Sequence, residues 1–139
     1  MLIHATEGGI IADELSEDGF PCVVGPIIAD RCKPELSRQT IRNAALLHKA
    51  GIDIAICTDH PENPIQYLPL AAGVCIKGGL DKLAALSAIT IGAAKIAGID
   101  SRVGSIEVGK DADIAVLDGE FYDVLTNAKL VLVDGKTVD

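Results

Sequence analysis

Apolar residues fall along this chain in short runs of two kinds. The first kind is compact and rich in β-branched residues. Residues 1–5, 21–26 and 52–57 each contain three or more consecutive apolar positions, and each run gives way to polar or turn-forming residues. Runs bounded this way predict buried strands. The second kind recurs at helical spacing. Ile10, Ile11 and Leu15 precede Gly19, and Ile41, Ala44 and Ala45, bordered by Leu47, lie between Ser37 as N-cap and Gly51 as stop. Residues 65–77 run into Gly78-Gly79, and residues 82–97 carry Leu83, Leu86, Ile89 or Thr90, Ala93 and Ala97 between the cap Asp81 and Gly98. Capping residues at the start and glycine at the end mark these as helices. The order strand, helix, strand, helix, strand implies a parallel sheet with right-handed crossovers.

From about residue 100 the texture changes: glycine, valine and acidic residues replace the alanine-rich helix. Residues 112–117 and 129–133 predict strands, each followed by Asp-Gly, at 118–119 and 134–135. Asp-Gly is a favoured hairpin turn. The expected organisation is therefore an α/β body over residues 1–100 and a small β element over 101–139.

The strand at 52–57 breaks into Thr58-Asp59-His60-Pro61. Parallel α/β sheets carry their chemistry at the C-terminal ends of strands, although Asp before His-Pro is also ordinary turn chemistry. If the three strands are parallel, His4 at the end of the first shares a rim with Asp59 and His60. Imidazole and carboxylate suit zinc, with iron or manganese as alternatives. A catalytic zinc site normally has about three protein ligands, and only His4 and Asp59 offer themselves. His48 does not extend the set, because it sits in the last turn of a helix, where a histidine suits the negative end of the dipole. Gly104 to Lys110 satisfies G-x-x-x-x-G-K, yet Asp111 stands where a phosphate loop needs Ser or Thr. Glu107 and Asp111 would repel phosphate, and no helix follows.

Composition narrows the classes. The chain has 139 residues, 49% hydrophobic and 3% aromatic, with a formal net charge of −8. That length is one domain with a real core. The acidic balance argues against nucleic acid and anionic membranes as partners. Cys22, Cys32, Cys57 and Cys75 form no C-x-x-C pair and read as small buried hydrophobes in a reducing compartment. The most apolar stretch, residues 65–80, is interrupted by Pro69, Gly73 and Lys77 and is too short to span a bilayer. With no secretory leader in view, a cytoplasmic protein is expected.

Taken together, Ile3-His4-Ala5-Thr6-Glu7-Gly8, Val24-Gly25-Pro26, Thr58-Asp59-His60-Pro61, Pro64-Ile65-Gln66-Tyr67-Leu68-Pro69, Ala88-Ile89-Thr90-Ile91, Ala94-Lys95-Ile96 and the stretch from Gly104 to Asp113 resemble the C-terminal part of metal-dependent amidohydrolases, in particular the imidazolonepropionase-like branch. The resemblance implies a (β/α)8 TIM-type barrel followed by a small β domain, with residues 1–5, 22–26 and 52–57 as its sixth, seventh and eighth strands. It implies that His4 and Asp59 bind a divalent metal, that Asp59 takes a proton from the attacking water, and that His60 lines the pocket of a small-molecule substrate. The implied activity is hydrolysis of a C–N bond in a small amide or cyclic amide. The family's strand-one His-x-His pair, strand-four ligand and strand-five histidine have no counterpart here, so the chain by itself is expected to be an inactive fragment with weakened metal affinity.

Geometry leads to a related expectation. Three parallel strands cannot close a barrel; they leave two edges and an apolar face uncovered. Such a surface calls for a partner, either the polypeptide supplying the front of the barrel or another copy of this chain. The competing reading is a non-catalytic α/β module that self-associates or binds a partner.

Overall fold

A computed structural model of the chain describes residues 1–31 and 33–138; Cys32 lies outside them. Two three-stranded sheets are built in succession. The first comprises β1 (Leu2–Ile3), β2 (Cys22–Val24) and β3 (Ile54–Ile56), parallel throughout and ordered β1-β2-β3. Helix α1 (Ala12–Asp18) crosses from β1 to β2, and α2 (Asn43–Lys49) from β2 to β3. Helices α3 (Leu68–Lys77), α4 (Lys82–Ala88) and α5 (Ile91–Ala97) follow β3. The second sheet, β4 (Ile114–Leu117), β5 (Ala128–Val133) and β6 (Lys136–Val138), is antiparallel in the order β4-β5-β6.

Strand alternation sorts the parallel sheet into two faces. Cys22 pairs with Ile54 and Val24 with Ile56, and this face is buried against Ala44 and Leu47 of α2, Ala71, Ala72 and Cys75 of α3, and Ala85 and Ala88 of α4. Alanine dominates the helix side of the interface, so the backbones come close and the strands supply the bulk. Leu47 is fully buried, which is worth about 1.5–3 kcal/mol. The opposite face carries Ile3, Val23 and Ala55 in register. There Ile3 is 59% exposed, so part of this face is apolar and uncovered.

Two expected helices are shorter or broken. Helix α2 starts at Asn43 rather than Ser37, and Ser37 instead follows a 3-10 turn at Pro34–Leu36. The buried stripe of α2 is Asn43, Ala44 and Leu47, while Ile41 points outward. The helix expected over 82–97 is broken in two. Ile89, Thr90 and Ile91 are consecutive β-branched residues, which fit helices poorly. The Thr90 hydroxyl donates to the Leu86 carbonyl at 2.6 Å. Gly92 then passes so close to the Ser87 carbonyl that a Cβ would stand 2.8 Å from its oxygen. Asp81 caps α4, accepting from the N–H groups of Leu83 and Ala84.

The antiparallel sheet is tied to the helical layer. Phe121 packs on the core, Tyr122 meets it edge-on at 5.2 Å, and Lys82 lies over the Tyr122 ring. Asp134 and Gly135 both have positive φ, the signature of the tight turn joining β5 to β6. In the loop at 104–110, Lys110 donates to Ser105 Oγ at 2.6 Å and pairs with Glu107 at 3.4 Å. The lysine is thus neutralised by its own loop, which has the structure of a turn-rich connector. Cys22, Cys57 and Cys75 are free thiols. Among the described residues no helix is long and apolar enough to cross a membrane.

Candidate functional site

His4 and Asp59 stand at the C-terminal ends of β1 and β3, the outer strands of the parallel sheet. The sheet brings them face to face: His4 Nε2 lies 3.5 Å from Asp59 Oδ1, with side chains 50% and 41% exposed. That separation exceeds the usual N–H···O length of about 2.7–3.2 Å. Both residues occupy the left-handed region, His4 at φ 58° and Asp59 at φ 55°. Outside glycine this conformation costs about 1–3 kcal/mol and gathers at functional sites. Among the described residues only one other non-glycine residue has positive φ, Asp134 in its hairpin turn.

Local hydrogen bonds hold each of the pair. On the His4 side, the Ala5 N–H donates to the Val23 carbonyl at 3.1 Å, extending the β1–β2 ladder past the histidine, and the Thr6 N–H closes a tight turn onto the His4 carbonyl. On the Asp59 side, the Cys57 N–H donates to the Val24 carbonyl at 2.9 Å, and the Glu62 N–H donates to the Asp59 carbonyl at 2.8 Å. Gly25, at φ 148°, lets β2 and β3 converge here: any Cβ on it would collide with the Cys57 carbonyl oxygen. Burial pushes the Cys57 thiol up from its ordinary range, and the charge of nearby Asp59 adds to that, against a hydrogen bond from the Asp59 backbone. The thiol is therefore protonated at neutral pH and offers no nucleophile.

A hollow of about 820 Å³ opens beside the pair, lined by His4, Asp59, Glu7, Asp30, Lys33, Arg38 and Glu62 with Ile10, Ile11, Pro26 and Leu36 among the apolar walls. Its size suits a small molecule. His60 is exposed and does not line it. His48 lines a smaller hollow of about 260 Å³ with Pro21 and Asp53, residues at the opposite ends of β2 and β3. Among the described residues no group of three or more His, Cys, Asp and Glu side chains converges as a metal cluster would.

Two buried polar residues escape the sequence pattern. Gln39 donates to the Pro26 carbonyl at 2.5 Å. Asn43, 1% exposed, bonds to both Ala5 and Gly9. Phasing the α2 stripe on Ala44 and Leu47 places Asn43, at i to Leu47's i+4, on the buried face, and a lone amide there is the signal that could have exposed it.

Known proteins resemble this arrangement over nearly the whole chain. The model of the amidohydrolase family matches residues 4–138. An imidazolonepropionase from Brevibacillus brevis is 33% identical across 84% of this chain and 27% of its own length. One from Streptococcus pyogenes is 32% identical across 90% of this chain and 36% of its own. The crystal structure of an amidohydrolase from Thermotoga maritima superimposes on 99% of this chain and 36% of its own, with a TM-score of 0.93 at 37% identity. This chain thus spans about a third of the length of the relatives it matches.

Proposed function

The chain belongs to the amidohydrolase family, and from that premise we propose that it carries part of the active site of a metal-dependent hydrolase of small amides or cyclic amides. In this reading β1, β2 and β3 are the sixth, seventh and eighth strands of a (β/α)8 barrel, and the antiparallel sheet belongs to the small β domain. His4 and Asp59 hold a divalent cation, zinc in the first instance. When bound, such a cation polarises a carbonyl and lowers the pKa of water. Asp59 takes the proton from the attacking water as general base, and the hollow beside it receives the substrate.

The observation that carries this reading is the 3.5 Å between His4 Nε2 and Asp59 Oδ1. At ordinary zinc–nitrogen and zinc–oxygen bond lengths, two donors on one tetrahedral ion stand about 3.4 Å apart. The spacing is longer than a direct hydrogen bond and compatible with two donors to one cation, which supports the assignment. Equilibrium dialysis against zinc followed by metal analysis tests it. Stoichiometric zinc on the chain, lost in both His4→Ala and Asp59→Asn, is expected, and zinc retained by both variants would refute the assignment.

Turnover is expected only where the remaining strands of a barrel are present beside these three. A second reading, a module that associates without catalysis, draws on the apolar face bearing Ile3 and on the outer edges of β1 and β3. Self-association that persists in Asp59→Asn, with no zinc bound by the parent chain, would favour it.

A further inference from the structure

Asn43 is fully buried in the first turn of α2, yet both ends of its amide are spent on the loop that follows β1. Nδ2 donates to the Ala5 carbonyl at 2.5 Å, and Oδ1 accepts from the Gly9 N–H at 2.6 Å. Between those points Glu7 Oε1 accepts from the Arg38 N–H at 2.6 Å. One segment, residues 38–43, therefore pins the loop at three places. Gly9 is what allows one of them, since a Cβ there would stand 2.9 Å from Asn43 Oδ1 and 3.0 Å from Leu46.

The loop begins where His4 ends. His4 sits in the left-handed region, so the direction of its side chain depends on the peptide that follows being held, and the Ala5 carbonyl belongs to the next peptide along. A leucine in place of Asn43 has the same branching with bulkier methyls and suits the apolar face of α2. It would also leave the Ala5 carbonyl and the Gly9 N–H without those bonds, and the loop free to relax. We propose that Asn43 is a positioning residue, which fixes the His4 imidazole opposite Asp59 by clamping the loop between Ala5 and Gly9. The inference rests on the metal-site reading of His4 and Asp59 for its functional meaning.

The test is nuclear magnetic resonance of the intact chain, whose only histidines are His4, His48 and His60. Three-bond couplings report the His4 χ1 rotamer without metal, and ring nitrogen shifts report zinc at His4 during a titration. The parent chain is expected to hold His4 in one rotamer and to show a saturable zinc response there. Folded Asn43→Leu is expected to average the rotamer and to raise the zinc midpoint about 10–100-fold, the usual effect of removing a partner behind a metal ligand. His48 and His60 should not change. A folded Asn43→Leu chain with the parent's rotamer and midpoint would overturn the inference. A parent chain with one His4 rotamer, averaged in the variant, but no zinc response would refute the metal reading and leave the positioning role supported. Should Asn43→Leu fail to fold, Glu7→Ala takes its place and is expected to broaden the His4 rotamer. In that case a Gly9 amide of the parent chain exchanging as fast as an open turn amide would overturn the clamp.

Discussion

Three glycines allow backbone strain and collision to be measured separately. Gly51 has φ 82° and open space where a Cβ would go. Its replacement by alanine costs conformation alone, about 1–2 kcal/mol. Gly78 closes α3 at an ordinary φ of −74°, but a Cβ there would run into the Ile41 carbonyl oxygen. Alanine at 78 costs only displacement, about 1–3 kcal/mol as for other overpacked positions. Gly25 combines both: φ is 148°, and a Cβ would strike the Cys57 carbonyl oxygen. Gly25→Ala should therefore lose about 2–5 kcal/mol, a large share of the 5–15 kcal/mol that usually holds a domain. It should also push apart the ends of β2 and β3 that present Asp59. Urea unfolding followed by circular dichroism gives the three differences, provided the slopes stay equal. The ordering expected is Gly25→Ala well beyond Gly78→Ala, and Gly78→Ala at or beyond Gly51→Ala. A Gly25→Ala chain no less stable than Gly51→Ala would refute the claim that close approach of β2 and β3 sets the rim.

Other consequences follow from single residues. His4→Asn should keep or slightly raise the unfolding midpoint, because asparagine tolerates the left-handed region, while zinc binding by dialysis falls; a loss of more than about 1 kcal/mol would show that His4 also supports the fold. The Asp118 carboxyl is held below the usual carboxylate range by the Asn127 N–H, at 2.7 Å, and by Lys129, at 2.9 Å. A depressed pKa contributes stability above the unfolded value that is lost as pH falls through the folded one. The thermal midpoint of the parent chain should thus drop more than that of Asp118→Asn between about pH 5 and pH 2, and equal drops would refute the pairing. Burial pushes the Cys75 thiol up to about 12, so mass spectrometry after iodoacetamide at neutral pH should find it unmodified until denaturant is added; labelling of the native chain would contradict its burial in the α3 interface.

How much of this was legible in the sequence depends on the sign of φ. The three parallel strands and their order follow from apolar runs bounded by turn residues, and the capping of α4 follows from Asp81. These are period-2 and period-3.6 patterns, which describe elements whose residues all have negative φ. The pattern failed where the chain leaves those periods. It ran a helix through Ile89-Thr90-Ile91, which instead turns a corner on a threonine bonded back to Leu86. It also extended α2 back to Ser37, across the residues that pin the neighbouring rim loop. Asp59 was visible as a polar residue at a strand end and the parallel strands put His4 on the same rim, but the backbone conformation that turns the two side chains toward each other was not legible, because both residues have positive φ and neither is glycine. Local preference opposes that conformation, so only the surroundings can impose it. On the His4 side the clamp from α2 closes over the next loop, and on the Asp59 side β2 and β3 converge at Gly25. A pair whose geometry is enforced from distant segments is where local consistency is given up, and function is a sufficient reason for a chain to give it up.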